Sequence, residues 1–165
     1  LARRGWEAAV LKPAVSADSF ATLRATRDDP AAGQRHLDAH LSERDMMVQA
    51  YMPAVAEPGE RCLIAVDGQL SHAVRKRSLF LGGRHAGPEG LPVEVADDEA
   101  AAARAILALV PGGLPLYARI DLVRDPAGRP RLMELELAEP SLFFAEGPGS
   151  ATRLVEGLER RMASP

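Results

Sequence analysis

Asp121, Glu134 and Glu136 are the residues of this chain best placed to do chemistry. They fall in two stretches, YARIDLV at residues 117–123 and RLMELELAEPS at 131–141, joined by Arg124-Asp125-Pro126-Ala127-Gly128-Arg129-Pro130. Asp, Pro and Gly in such a link are turn chemistry, so the two stretches read as a β-hairpin. In the first, Ala118, Ile120 and Leu122 alternate with Tyr117, Arg119, Asp121 and Val123. In the second, Met133, Leu135 and Leu137 alternate with Leu132, Glu134 and Glu136. Successive strand residues point to opposite faces, and a one-residue slip swaps the faces of one strand. Only a register in which paired residue numbers add to an odd total gathers Ala118, Ile120, Leu122, Met133, Leu135 and Leu137 on one face. That register forces Arg119, Asp121, Glu134 and Glu136 onto the other. Three carboxylates crowded in this way repel one another, and a hard cation relieves the repulsion. Mg²⁺ typically takes one or two carboxylates together with substrate phosphates. The other reading of the same residues is a solvated outer face with an Arg–Glu cross-strand pair.

A second hairpin surrounds Asp67-Gly68, a strong two-residue turn signal that sets Val66 opposite Gln69. An unbroken ladder from there places Arg61, Leu63 and Ala65 on one face with Leu70, His72, Val74 and Lys76. Arg61 and Lys76 then meet at the open end. Two cations side by side either separate into solvent or share an anion, and a polyphosphate is one such anion. Arg75 and Arg77 point the other way, where the alternative is a basic strand edge that discourages aggregation. Lys12 stands at the end of an apolar strand before Pro13, as a solvated strand end or as a ligand contact. No Ser-His-Asp or Cys-His arrangement presents itself. His72 has Ser71 beside it, but strand neighbours point apart, so a structural or surface histidine is expected.

The elements that must position these groups follow from pattern and punctuation. Glu7–Leu11 is a strand stopped by Lys12-Pro13, and Phe20–Ala25 is a weaker one. Ala31–Ser42 fits a helix with Leu37 and Leu41 at i,i+4. Met46–Met52 is a strand ended by Pro53. Arg61–Val66 and Gln69–Lys76 form the tight hairpin, and Leu81–Pro92 is a Gly/Pro-rich loop. Asp97–Leu109 is a helix capped by Asp97, with Asp98 and Glu99 in its first turn and Pro111-Gly112-Gly113 after it. Ser150–Met162 is the last helix, with Ser150 as its cap. Strands and helices mix without strict alternation, and the hairpins are antiparallel, which argues α+β rather than a doubly wound sheet.

Composition sets the outer limits. The 165 residues suffice for one core, and 47% hydrophobic with 26% charged is ordinary globular usage. A formal net charge of −3 gives no general attraction to nucleic acid or to an anionic membrane. Cys62 is the single cysteine, so neither an internal disulfide nor a Cys-based zinc site is expected. No apolar run has the length of a membrane span, and a cytoplasmic protein is the expectation. The chain opens at Leu1 rather than Met and runs from helix-like sequence straight into a strand. It reads as a piece of a longer protein.

The order of parts resembles the ATP-grasp superfamily. The residues that carry the likeness are VLKP at 10–13, MVQAYMP at 47–53, GERCLIAVDGQLSHAVRKR at 59–77, YARIDLV at 117–123 and LMELELAEPS at 132–141. Glutathione-synthetase-like and RimK-like ligases, and O-ureido-serine cyclo-ligase, are the branches it is most similar to. The resemblance implies antiparallel sheets with helices packed on them and a nucleotide held between two subdomains. Residues 1–52 would be part of the first subdomain and 53–165 the second, with the preceding N-terminal domain absent. It implies ATP and Mg²⁺ or Mn²⁺ as cofactors and an acyl-phosphate route joining a small-molecule carboxylate to an amine, with room for an oligomer. The fragment alone would be inactive, and a catalytically silent ATP-binding regulatory module is the alternative.

The same resemblance distributes tasks. Lys12 matches the strand-end lysine that contacts ATP phosphate and the adenine edge. Gln49, Ala50, Tyr51 and Met52 match the connecting strand that reads the adenine. Glu60 matches the acid that binds the ribose hydroxyls, with Glu57 next in line. Lys76 or Arg77 matches a basic phosphate contact. Arg119 matches a contact to the transferred phosphate or the substrate, so that Arg119 and Lys76 are the catalytic candidates. Asp121 and Glu134 match the metal carboxylates, and Glu136 stands where many members have Asn. Other departures are the arginine common after the ribose acid, which falls at Cys62 or Arg61, and the absence of glycine from Val15–Ala21. The Gly82–Gly87 loop could cover the substrate, or be a mobile surface loop.

Overall fold

The computed structural model describes residues 1–15, 19–76 and 90–163. Arg77 and the Gly82–Gly87 loop lie outside the described residues, as does part of Val15–Ala21. The chain divides into two units, Leu1–Tyr51 and Met52–Pro165.

In the first unit, β1 (Ala8–Pro13) is flanked by β2 (Leu23–Thr26) and β3 (Met46–Ala50), all antiparallel. The run Ala-Ala-Val-Leu makes β1 buried along its length, as a central strand must be. Helix α1 (Pro30–His40) starts where the sequence provides both start signals. Asp29 accepts from the Ala32 amide at 3.0 Å, and Pro30 occupies the first helical position.

The second unit is a five-stranded antiparallel sheet in the order β6-β5-β4-β7-β8, comprising β4 (Glu60–Val66), β5 (Gln69–Lys76), β6 (Leu91–Val93), β7 (Tyr117–Arg124) and β8 (Pro130–Glu136). Asp67 (φ 51°) and Gly68 (φ 74°) both take the left-handed conformation that a two-residue hairpin needs. One face buries Leu63, Ala65, Ala73, Ala118, Ile120 and Leu122 against Ala103 and Leu107 of helix α2 (Asp97–Leu107). The opposite face buries Cys62, Ile64, Val66 and Val74 under Leu142 and Phe143, with Leu154 of helix α3 (Ser150–Ala163) packed alongside. The rest of that second face is polar, and it carries the site described below.

Several expectations are revised. The Gly/Pro-rich stretch ends in strand β6 rather than in loop, since Pro92 is tolerated on an edge strand. Ala96, not Asp97, is the cap position of α2; Glu99 reaches back to accept from the Ala96 amide at 3.2 Å. Ser150 is already inside α3, and its hydroxyl donates to the Gly147 carbonyl at 2.5 Å. Among the described residues no helix is long and apolar enough to cross a membrane.

The β7–β8 turn is organised by Asp125. Its Oδ1 accepts from the Ala127 and Arg129 amides at 2.9 Å each, and its Oδ2 takes Arg129 Nε at 3.0 Å and Arg131 Nε at 2.9 Å. The bonds to the Arg129 amide, together with the arginines, hold the carboxyl down from 3.8 to about 2. A depressed carboxylate pKa contributes stability above the ordinary value and loses it as pH falls through the folded value. Amide-exchange protection at Ala127 and Arg129 should therefore fall between pH 3.8 and about 2, and Asp125→Asn should lower that protection at neutral pH. Protection unchanged across this window would show that Asp125 does not hold the turn.

Candidate active site: a carboxylate cluster with two cations

The odd-sum register is present where it matters. Arg119 pairs with Glu136, Ile120 with Leu135 and Asp121 with Glu134. Beyond Asp121 the ladder shifts by one residue, so that Leu122 meets Leu132 and Met133 is the bulged residue. Asp121, Glu134 and Glu136 thus share a face, and one oxygen from each lies within 4.8 Å of the others. Asp121 is 1% exposed, whereas Glu134 is exposed and Glu136 half-buried. Arg119, 5% exposed, lies among them: its Nε and Nη2 donate to Asp121 at 2.9 Å, and Nη2 also bonds Glu136.

The hairpin around Asp67-Gly68 departs from the unbroken ladder. Its register shifts between Ile64 and Ala65, leaving Ser71 unpaired, so Glu60 faces Lys76 and Arg61 faces Arg75. The extra residue reverses the parity of β5 beyond it. Lys76 therefore leaves the side of Arg61 and joins Glu60, Cys62 and Asp121, the last two paired across β4 and β7. Arg61 turns to the α2 side, where its Nε meets Glu99 at 2.6 Å. The meeting of Arg61 and Lys76 expected from residue counting does not occur. Close approach at the Glu60–Lys76 end depends on Gly59 (φ +105°), where a Cβ would stand 2.6 Å from the Lys76 carbonyl oxygen.

Four carboxylates and two cations now share one patch, with negative charge in excess. Burial pushes the Glu60 carboxyl up; Lys76 opposes this, and Asp121 and Glu134 add to it. Burial likewise raises Glu136, opposed by Arg119 and reinforced by Glu134 and Asp121. Both shifts come first from burial, and neighbouring carboxylates add to them. The Cys62 thiol, fully buried beside Asp121, is pushed far up by burial and then by that carboxylate, so it is no nucleophile at neutral pH.

The donor set suits a hard divalent cation. In an octahedral Mg²⁺ shell, two ligand oxygens lie about 3 to 4 Å apart, so a 4.8 Å span closes with small side-chain adjustments. Thiolate and imidazole ligands for a softer metal are not offered by these three residues. Asp121, Glu134 and Glu136 would hold the ion, with Arg119 and Lys76 on the same face.

The remaining sequence candidates lie apart from this patch in the chain. Lys12 is half-buried in β1 opposite Met47. Gln49 and Ala50 end β3, opposite Val10 and Ala9. The Tyr51 amide donates to the Ala8 carbonyl at 3.1 Å, and the Arg24 guanidinium lies 4.3 Å from its ring centroid. Met52 opens the second unit. Glu99 was missed as more than a helix-start residue. Its signal was an acid in a first turn facing two strand arginines, legible only once the strands are placed.

No protein-family model matches the chain. The cycloserine biosynthesis protein DcsG of Streptomyces lavendulae is 31% identical over 163 residues, covering 93% of this chain and 54% of the relative. The chain therefore spans about half the length of the curated relative it matches. The crystal structure of D-cycloserine synthetase DcsG superposes with a TM-score of 0.86 at 29% identity, over 98% of this chain and 58% of that one. D-alanine–D-alanine ligase from Bacillus anthracis, complexed with ATP, follows the same fold with a TM-score of 0.61 at 16% identity, over 96% and 53%. So does the ATP-grasp ligase PsnB complexed with a precursor peptide, at 0.60 and 16%, over 96% and 48%.

Proposed function

We propose that this chain is the metal- and phosphate-binding part of an ATP-dependent carboxylate–amine ligase of the ATP-grasp superfamily. The observation that carries the reading is the convergence of Asp121, Glu134 and Glu136 around Arg119, with Lys76 on the same face. An acidic patch of this kind does not bind a polyphosphate unaided. A bound Mg²⁺ supplies charge neutralisation between carboxylate and phosphate oxygens. The likeness to DcsG and to D-alanine–D-alanine ligase supports the ligase class.

The chemistry assigned to the complete protein balances in two steps. A substrate carboxylate oxygen attacks the γ-phosphorus of ATP; the new O–P bond forms, and ADP departs with the electrons of the bond that breaks. An amine or similar nucleophile then attacks the carbonyl carbon. A carbon–nitrogen bond forms, phosphate leaves, and the amine loses a proton to solvent. In the first step Lys76 and Arg119 meet charge on the transferred group, which is the main demand phosphoryl transfer makes on a protein. Asp121, Glu134 and Glu136 would hold the ion. Glu60, paired with Lys76 across β4 and β5, is assigned to the ribose hydroxyls. Lys12 and the 49–52 segment are assigned to the nucleotide.

The test uses the complete protein. Mg²⁺-dependent ATP binding is expected, with ADP released when candidate amino-acid carboxylates and amines are supplied. Lys12→Ala should weaken ATP binding by about tenfold through loss of one charge-assisted hydrogen bond. Unchanged affinity would remove Lys12 from the nucleotide site. Tight Mg·ATP binding with no ADP release under any substrate would favour a regulatory nucleotide-binding module instead.

A further inference from the structure

We infer that Glu99, buried on the side of the sheet away from the carboxylate cluster, is a positioning residue for that cluster, acting through Arg61 and Arg124. The inference rests on the metal-binding reading above. Glu99 lies in the first turn of α2 and is 1% exposed. Its Oε1 accepts from Arg124 Nη2 at 3.0 Å and lies 2.6 Å from Arg61 Nε in an ion pair without hydrogen-bond geometry, and its Oε2 accepts from the Ala96 amide. Arg61 also bonds the Glu94 carbonyl, and Arg124 forks onto Asp98. One carboxylate therefore ties together β4, the end of β7, the segment after β6 and the start of α2.

The place of this network matters. Arg61 stands between Glu60 and Cys62, whose side chains emerge on the opposite face, and it pairs with Leu122, the residue after Asp121. Arg124 is three positions beyond Asp121 on the same strand. The tie thus sits behind the end of the sheet that carries the cluster. That end is where alternation fixes the register least, because the β7–β8 ladder shifts between Asp121 and Leu122. It is also where like charges on three adjacent strands push apart.

As a source of stability such a network is weak, since apolar replacements of similar volume are often neutral or better. It provides direction instead: the Arg124 guanidinium forks onto Asp98 and gives a further bond to Glu99, which fixes angle as well as distance, and Arg61 is held to the same carboxylate by charge. Contacts made directly to metal ligands typically change metal affinity by about 10- to 100-fold when removed; this network acts one step further out, through the strands that carry the ligands, so the lower end of that range is expected.

The experiment is Mn²⁺ binding to the complete protein, followed by electron paramagnetic resonance well below the melting temperature, for the parent, Glu99→Gln and Arg124→Gln. The parent should bind, and both variants should bind about tenfold or more weakly while still folded by circular dichroism. Arg124 is partly exposed at a strand end, so its variant remains measurable even where Glu99→Gln unfolds. A brace serving stability alone would lower the melting temperature and leave the Mn²⁺ affinity of the folded protein unmoved, and that result overturns the inference. A parent that binds no Mn²⁺ overturns both this inference and the metal reading beneath it.

Discussion

Glu134→Gln in the complete protein should lower ATP-dependent turnover by at least about a hundredfold while the protein folds and melts like its parent. The two halves of this expectation have separate physical grounds. Glu134 is an exposed residue on β8, opposite Asp121, and its side chain fills no part of either apolar core. Replacing it with the isosteric amide leaves no cavity and removes one of several mutually repelling charges, so the stability change should stay within about 0.5 kcal/mol. Turnover is a different matter. Losing one carboxylate of three from the cation site weakens charge neutralisation where the γ-phosphoryl group passes, and single electrostatic contributions of this kind are worth about 3 to 4 kcal/mol in the barrier. Thermal melting and ADP release, measured on the same preparation, separate the two. A variant that melts normally and turns over like the parent would remove Glu134 from the metal shell, leaving the hairpin face as a solvated ion-pair surface.

Alternation was a good guide here and also the source of the main error. In β7 and β8 alternation left one register, which buries Ala118, Ile120 and Leu122 and half-buries Leu135, while Met133 falls in the bulge and Leu137 stays exposed; the carboxylates followed onto the other face. The same counting failed on β5, because residue types do not announce a bulge at Ser71 and every side chain beyond it changes face. Lys76 was thereby placed beside Arg61, when it faces Glu60 and joins the carboxylates. Local signals did well where backbone chemistry decides the outcome. Asp67-Gly68 and Asp125 through Gly128 both hold turns that Gly, Pro and Asp explain on their own. Contacts between distant elements were out of reach. Glu99 reads as a helix-start acid until α2 is laid against β4 and β7, and only then does it become the buried partner of two arginines. Strand β6 has three residues, one of them Pro, and depends on pairing with β5 rather than on its own pattern.

Arg119→Met should be the most destabilising single change at this site, and its cost should shrink when Mg²⁺ or Mn²⁺ is added. Arg119 and Asp121 are both nearly inaccessible, and the guanidinium bonds Asp121 through two nitrogens while also holding Glu136. Truncating one partner of such a group leaves the other charge buried and unpaired, which costs about 3–5 kcal/mol. The surroundings make this worse, since Glu60 and Glu134 add like charge and, among the described residues, Lys76 is the other cation that acts on both Glu60 and Glu136. A divalent ion binding only the folded protein stabilises it by RT ln(1 + [L]/Kd). With the guanidinium gone, Asp121 is free to give both oxygens to the ion, so the gain on adding metal should be larger in the variant than in the parent. Turnover should not recover with it, because the ion replaces Arg119 as counter-charge to Asp121 but not in the phosphate contact proposed for it. The measurement is denaturant unfolding of parent and variant with a chelator and again with Mg²⁺ in excess, paired with ADP release. A variant as stable as its parent under the chelator would mean that Arg119 does not neutralise Asp121. Equal metal gains in the two proteins would place the cation away from the Asp121 carboxylate.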